Sequence, residues 1–193
     1  MHSIPDRMKH LPVDRRGYAI PVIVLVTSDG RPHFTVNDHE KVERAGRSFC
    51  CGICGKRLWK ESAWFVGGPM SAFAANGAYL DGPVHHECGT FALQTCPYLA
   101  APTYARRIDD RTIKPGTLGD AVVLEDPTSI PERPELFVFA KAKRYAMHRN
   151  PNSMLVFVPH KPWLEYEFWE KGRKLTEAEA LPLVQANFRR HGG

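Results

Sequence analysis

Hydrophobic positions along this chain repeat with two periods, and together they predict an α+β fold. Residues Ala19 to Thr27 (AIPVIVLVT) are almost continuously apolar and rich in β-branched side chains, which predicts a buried strand. Ser28-Asp29-Gly30 is a turn signal, so His33 to Val36 is expected to return as a hairpin partner. Asn37, three residues before Glu40, suits the start of a short helix over residues 38–47. Residues 84–96 (VHHECGTFALQTC) precede Pro97 and read as a second helix. Farther on, Leu136 to Tyr145 and Met154 to Val158 are strand-like, with the turn Asn150-Pro151-Asn152 between them. Trp163 to Trp169 (WLEYEFW) alternates, with Leu164, Tyr166 and Phe168 on one side and Glu165 and Glu167 on the other. That period of two marks a half-buried strand. Thr176 and Glu179 form a capping box for a final helix to about Arg189, and Pro182 is expected to kink its first turns or delay its start.

Turn and proline signals divide this single expected domain, residues 1–193, into parts. A polar leader up to Arg16 is expected to wrap the surface, and a cysteine-rich module spans roughly 49–97. A Pro-rich connection over 98–133 follows, with one short strand expected at Ala121 to Leu124. An antiparallel β-meander with a C-terminal helix, 134–193, completes the chain.

Composition narrows the class. Hydrophobic residues make up 43% and charged residues 24%, the balance of a globular chain. Met1 to His10 holds no apolar signal core, and the longest apolar run falls short of the ~20 residues that span a bilayer. The expectation is a cytoplasmic protein with no membrane partner. In such a compartment five cysteines stay reduced, and clustered thiols are metal ligands more often than disulfides. A formal net charge of +5 is spread over both halves of the chain. It permits nucleic-acid binding but is no polybasic footprint.

The strongest chemical signal is Cys51-Gly52-Ile53-Cys54-Gly55, followed by His85-His86-Glu87-Cys88. Zinc takes four tetrahedral sulfur and imidazole ligands, and two ligands spaced by two residues come from one local turn. Gly52 and Gly55 free that turn to curl beneath the metal. His85 and Cys88, three apart, share a face at the start of the expected helix, whose N-terminus favours a thiolate. A knuckle, a short hairpin and a helix supplying the last two ligands describe a treble-clef-like module. It would hold one structural Zn2+ through Cys51, Cys54, His85 and Cys88. Cys50 in place of Cys51, and His86 in place of His85, remain open alternatives. Cys96 would lie ~12 Å from Cys88 along a continuous helix and is read as a buried core thiol.

Four ligands leave no open position for a catalytic water. The His-x-Glu and CxxC elements stand in the reverse of their order in zinc deaminases. Residues 57–84 hold no histidine to serve a treble-clef nuclease as base. The pairs Asp109-Asp110 and Glu165/Glu167 read as solvated faces, and no catalytic residue is assigned. Basic residues offer more. Lys141, Lys143, Arg144 and Arg149 fall in one stretch with Tyr145 among them. On one strand Lys141, Lys143 and Tyr145 would share a face able to track phosphates and stack a base. Lysines guarding an edge strand are the plainer reading. Arg106, Arg107, Arg111 and Lys114 form a second basic group, and Trp59 and Trp64 are read as core around the module.

Several segments carry a resemblance. They are Arg7-Met8, Leu11 to Pro21 (LPVDRRGYAIP), the CxxCG at 51–55, Gly68-Pro69-Met70, His85-x-x-Cys88, Cys96-Pro97 with Leu99, and Trp169 to Glu179. The chain resembles a family of short zinc-binding proteins from bacteria and their phages that has no assigned activity; Ser71 to Leu80 departs from it. The resemblance implies zinc and a mobile-element origin, and it extends to Cys96. The expected function is a non-enzymatic structural-zinc protein acting on nucleic acid or a nucleoprotein complex. A phage-encoded inhibitor of a host system through protein contacts, and a zinc-dependent hydrolase or nuclease, are the alternatives.

Overall fold

A computed structural model describes residues 3–59, 63–101, 116–118, 121–123 and 134–191. After a 3-10 turn at Asp6–Met8, strands β1 (Val24–Val26) and β2 (Pro32–Asn37) form an antiparallel hairpin that leads into helix α1 (His39–Arg47). Strand β3 (Ala63–Gly67) and short helix α2 (Pro69–Phe73) follow, then helices α3 (His86–Thr95) and α4 (Pro97–Ala100). Strands β4 (Gly116–Leu118) and β5 (Ala121–Val123) pair with each other. The remainder holds β6 (Phe137–Ala142), β7 (Tyr145–Arg149), β8 (Leu155–Pro159), β9 (Glu165–Glu170), β10 (Arg173–Leu175) and helix α5 (Glu177–His191). The class is α+β with antiparallel sheets and a C-terminal helix, as the periodicity predicts.

The connectivity differs from a meander. The main sheet runs β10-β9-β6-β3, so a strand from the cysteine-rich segment completes a sheet otherwise built by the last sixty residues. Strands β7 and β8 pair only with each other among the described strands. The expected single strand from Leu136 to Tyr145 is interrupted at Lys143-Arg144, where the chain leaves β6 and enters this hairpin. The apolar run from Ala19 is also shorter as a strand than predicted. Pro21 has no N–H to give a ladder, while Val22 and Ile23 donate to the carbonyls of Ile53 and Gly52 at 3.0 and 3.3 Å. The front of the run therefore braces the cysteine turn, and only Val24–Val26 pair as a strand.

Both faces of the main sheet are covered. Phe137, Phe139, Trp64 and Trp169 join Leu93 and Cys88 of α3 in the larger core, whose members extend back to Met8 and Leu11. Val138, Ala140 and Phe168 point the other way and pack with Ala72 of α2 and Ala180 of α5. In β9 the expected alternation holds for Tyr166 and Phe168, which meet edge to face at 5.5 Å. Its acidic face is solvated at Glu165, as expected, but not at Glu167. The Glu167 side chain is 12% exposed and accepts hydrogen bonds from Lys174, His86 and Trp169. Burial raises its pKa, but these bonds outweigh it and hold the carboxyl below its ordinary value.

Helix ends follow local chemistry. Asp38, not Asn37, caps α1 by accepting from the Lys41 N–H at 3.1 Å. At its far end Cys50 N–H donates to Ala45 O and Phe49 N–H to Gly46 O, the Schellman arrangement. This places Phe49 at φ 53°, a left-handed position that glycine usually takes and that costs a bulky residue about 1–2 kcal/mol. The capping box of α5 forms as predicted, with Thr176 N–H to Glu179 Oε2 at 2.8 Å and Glu179 N–H to Thr176 Oγ1 at 3.3 Å. The helix starts at Glu177 and continues through Pro182.

Two expectations follow. A Cβ on Gly89 of α3 would lie 2.4 Å from the Phe139 ring, so the helix can approach the sheet only through glycine. Gly89→Ala should cost about 1–3 kcal/mol in urea unfolding with an unchanged m-value. The hydrogen bond from the Thr176 N–H, then those from Arg173 and the Thr176 hydroxyl, hold Glu179 down to about 2. Its contribution to the cap is therefore full above the ordinary carboxylate range and is lost as pH falls toward 2. A carboxyl NMR titration of Glu179 should show that low midpoint, and a midpoint at the ordinary glutamate value would remove the capping box.

Candidate metal centre

The turn carrying the first two cysteines is a small hairpin. Cys50 bridges Arg57, Leu58 N–H donates to Phe49 O at 2.7 Å, and Cys51 N–H donates to Lys56 O at 2.9 Å. Gly55 closes it at φ 71° with its N–H on Cys51 O at 2.8 Å, a conformation that disfavours any side chain. The second pair arrives from a strand edge: Val84 bridges Trp64 of β3, and the chain then enters α3. His85 is the N-cap residue in extended conformation, and Cys88 lies in the first turn. His85 thus sits just before the helix, not within its first turn as expected. A hydrogen bond from Gly52 N–H to Pro83 O at 3.0 Å ties the two halves together.

Cys51 Sγ, Cys54 Sγ, one His85 nitrogen and Cys88 Sγ lie within 4.8 Å of one another. Four ligands about 2.1–2.3 Å from one tetrahedral ion would stand ~3.5–3.8 Å apart, so the cluster fits a single ion. All four residues are buried, at 0%, 1%, 5% and 0% exposure in that order, and no disulfide forms. These four residues could hold a metal ion. The ring of His85 presents Nδ1 to Cys54 Sγ at 3.3 Å, while Nε2 lies 3.1 Å from the Arg57 carbonyl, which can only accept. Nε2 therefore carries the proton and Nδ1 is the atom that would face a metal ion, its ring oriented by a carbonyl outside the cluster. Backbone N–H groups of Cys54 and His85 point at Cys51 Sγ at 3.5 and 3.4 Å.

Protonation of the trio follows from its crowding. S–H donation from Cys51, then from Cys88, favours the Cys54 thiolate and holds it down to about 2. Burial pushes Cys51 up to about 11, and hydrogen bonding with Cys51 and Cys54 pushes Cys88 up as well. Without a cation, one negative charge is shared among three sulfurs. A divalent ion would have to displace the remaining thiol protons.

The remaining candidate residues are now located. The Cys50 thiol donates to Ser48 O at 3.5 Å and lies outside the cluster. His86 turns to the opposite side, stacked on Phe139 and 3.0 Å from Glu167 Oε1. Cys96 joins α3 to α4, outside the cluster and half-buried, not a core thiol as expected. Trp64 is core, whereas Trp59 is 77% exposed, contrary to its reading as core. The basic stretch does not form one face. Lys141 lies on β6, paired with Glu165 at 2.7 Å, and Arg149 lies on β7 with Glu43 at 3.1 Å. Lys143 and Arg144 occupy the exposed turn between the strands, and the Tyr145 hydroxyl donates to Gly46 O at 2.7 Å. Arg106, Arg107, Arg111 and Lys114 lie outside the described residues.

The leader gives what sequence reasoning missed. His10 Nε2 donates to Cys54 O at 3.0 Å, and Arg7 pairs with Glu87, one residue before Cys88. Met8 and Leu11 are buried beside them. The leader's polar composition hides two apolar anchors spaced at three, Met8 and Leu11, which were its one available signal. A cleft of about 1530 Å3 runs past Phe34, Tyr79 and Leu136 and touches none of the four donors. No helix among the described residues is long and apolar enough to cross a membrane. No family model, curated protein or solved structure matches the chain.

Metal binding should release about two protons near pH 7, because two of three thiols start protonated, and affinity should fall as pH falls. Calorimetry in two buffers of different ionisation enthalpy measures this directly. Cys88→Ser should lower Tm by more than about 10 °C, whereas Arg7→Ala, an exposed pair, should cost at most about 1 kcal/mol.

Proposed function

We propose that this chain is a non-enzymatic zinc protein whose metal is architectural and whose organised surface engages nucleic acid. One observation carries the architectural reading: four sulfur and imidazole donors converge with every donor buried, and backbone groups engage Cys51 Sγ and His85 Nε2. Three thiolates and one imidazole suit zinc, which needs no d-electron geometry and accepts a tetrahedron of soft and borderline ligands. A knuckle, strand β3 and a helix bearing Cys88 in its first turn support a treble-clef-like description. The cleft is lined by Ile53 and Val84, neighbours of Cys54 and His85, but none of the four buried donors opens onto it. Residues holding the zinc would be Cys51, Cys54, His85 and Cys88, and the ion would fold the cysteine segment and supply no reaction step.

The nucleic-acid part rests on charge. The net charge of +5 and the exposed Lys143 and Arg144 favour a polyanion, and a mobile-element origin is compatible with such a partner. Purified protein should contain one zinc per chain. Its cobalt-substituted form should show the intense visible bands of a tetrahedral thiolate site, and a spectrum reporting a bound water would replace this reading with metal-dependent hydrolysis. Polyanion affinity should fall roughly 20–40-fold between 50 and 200 mM salt if about three phosphates are contacted. Affinity independent of salt would end the nucleic-acid reading.

A further inference from the structure

The cysteine hairpin and the turn between β6 and β7 meet at a depression that the metal centre does not use. It has a volume of about 340 Å3 and is lined by Phe49, Arg57, Leu58, Trp59, Ala63, Lys143, Arg144 and Tyr145. Its floor is apolar, from Leu58, Ala63 and the Tyr145 ring. Its rim carries three exposed cations, Arg57, Lys143 and Arg144, and no described carboxylate lines it. Two large aromatic rings stand at the surface here, Phe49 at 55% and Trp59 at 77% exposure. The other three tryptophans are buried or half-buried.

Phe49 is the more informative ring. It occupies the left-handed position that ends α1, where glycine would relax the backbone. Packing gives only part of the reason for an aromatic there, because the ring meets Tyr145 at 5.5 Å yet leaves most of its surface in water. Strain held at an exposed aromatic points to recognition. The floor is also pre-set. Leu58 N–H donates to Phe49 O, and the Arg57 carbonyl fixes the His85 ring, so the metal cluster and the depression share one hairpin.

We propose that this face binds single-stranded nucleic acid, with unpaired bases stacking on Phe49 and Trp59 and phosphates held by Arg57, Lys143 and Arg144. The proposal rests on the nucleic-acid reading above and narrows it. Exposed aromatic faces among cations match the two surfaces of a single strand, the π-face of each base and the backbone charge. A duplex hides its bases in its own stack and offers only phosphates to such a site. Lys141 and Arg149, from the originally expected contacts, do not line the depression and stand outside this set.

The test is fluorescence anisotropy on the full metal-loaded chain at low salt, with labelled oligothymidine, oligouridine and a duplex of equal length. Either single strand should bind at least tenfold tighter than the duplex, and tighter binding of either one supports the proposal. Phe49→Gly and Trp59→Ala should each weaken single-strand binding about 5- to 100-fold and leave duplex binding unchanged. Because glycine accepts the backbone at position 49, Phe49→Gly should melt no lower than the parent, and Trp59→Ala gives a second variant at an exposed site. Lys143→Ala with Arg144→Ala should weaken all three ligands. Loss with the charge variant but not with either aromatic variant overturns stacking and leaves the polyanion reading intact. Failure of all three oligonucleotides to bind, or capture of a protein alone, overturns both.

Discussion

Three thiols and an imidazole drawn into one buried cluster set the terms for the rest of this structure. Buried sulfurs at such spacing resist ionising together, since each added negative charge raises the next pKa. Cys54 is held low while Cys51 and Cys88 are held high. A divalent cation resolves that conflict, and it would do so for residues separated by more than thirty positions in the chain. The segment between them is broken by Gly68-Pro69 and Asn76-Gly77 and has little regular structure to hold it. Its order comes from two ends: the cluster at one side and the β3–β6 ladder at the other.

That arrangement explains why neither part of the chain stands apart. Strand β3 leaves the cysteine hairpin, pairs with β6 from Ala63↔Ala142 to Gly67↔Val138, and carries Trp64 into the core beside Phe139. Gly89 lets α3 press on the same Phe139 ring. The sheet therefore meets the helix that carries Cys88 through Phe139, and through Trp64 and Glu167 at His86. The N-terminal leader and the apolar run after it close the opposite side, with His10 on the Cys54 carbonyl and Val22 and Ile23 on the turn's backbone. The four donors are thus braced from three directions by residues far apart in the chain.

Local chemistry was legible in the sequence and long-range assignment was not. The two pairs of clustered donors, the capping box of α5 and the hairpin near Ser28 follow from spacing within a few residues, where one turn decides the outcome. The apolar run at Ala19 to Thr27 misled because composition cannot tell a strand's ladder from hydrogen bonds to a distant turn. Lys141 and Tyr145 misled for a related reason: β-like residues continue across the break at Lys143-Arg144, and nothing local shows that two sheets share them. Glu167 looked solvated by period, yet His86 and Lys174, from other elements, reach it. Trp59 and Phe49 are the reverse case, apolar residues whose exposure only the tertiary arrangement reveals.

Their position would give a bound metal a consequence beyond stability. Phe49, Cys50, Cys51, Arg57 and Leu58 belong to one hairpin, which serves the cluster on one side and the depression on the other. Cys51 faces the cluster, Cys50 turns away, and Phe49 reaches the surface at the end of α1. Arg57 does both jobs, its carbonyl orienting His85 while its side chain lies exposed on the rim. Losing the ion would release the His85 ring, loosen the strand pairing at Cys50 and Arg57, and scatter the aromatic and cationic groups outside it. Any ligand that needs those groups held together would then favour the metal-bound chain, and by linkage would tighten the metal in return.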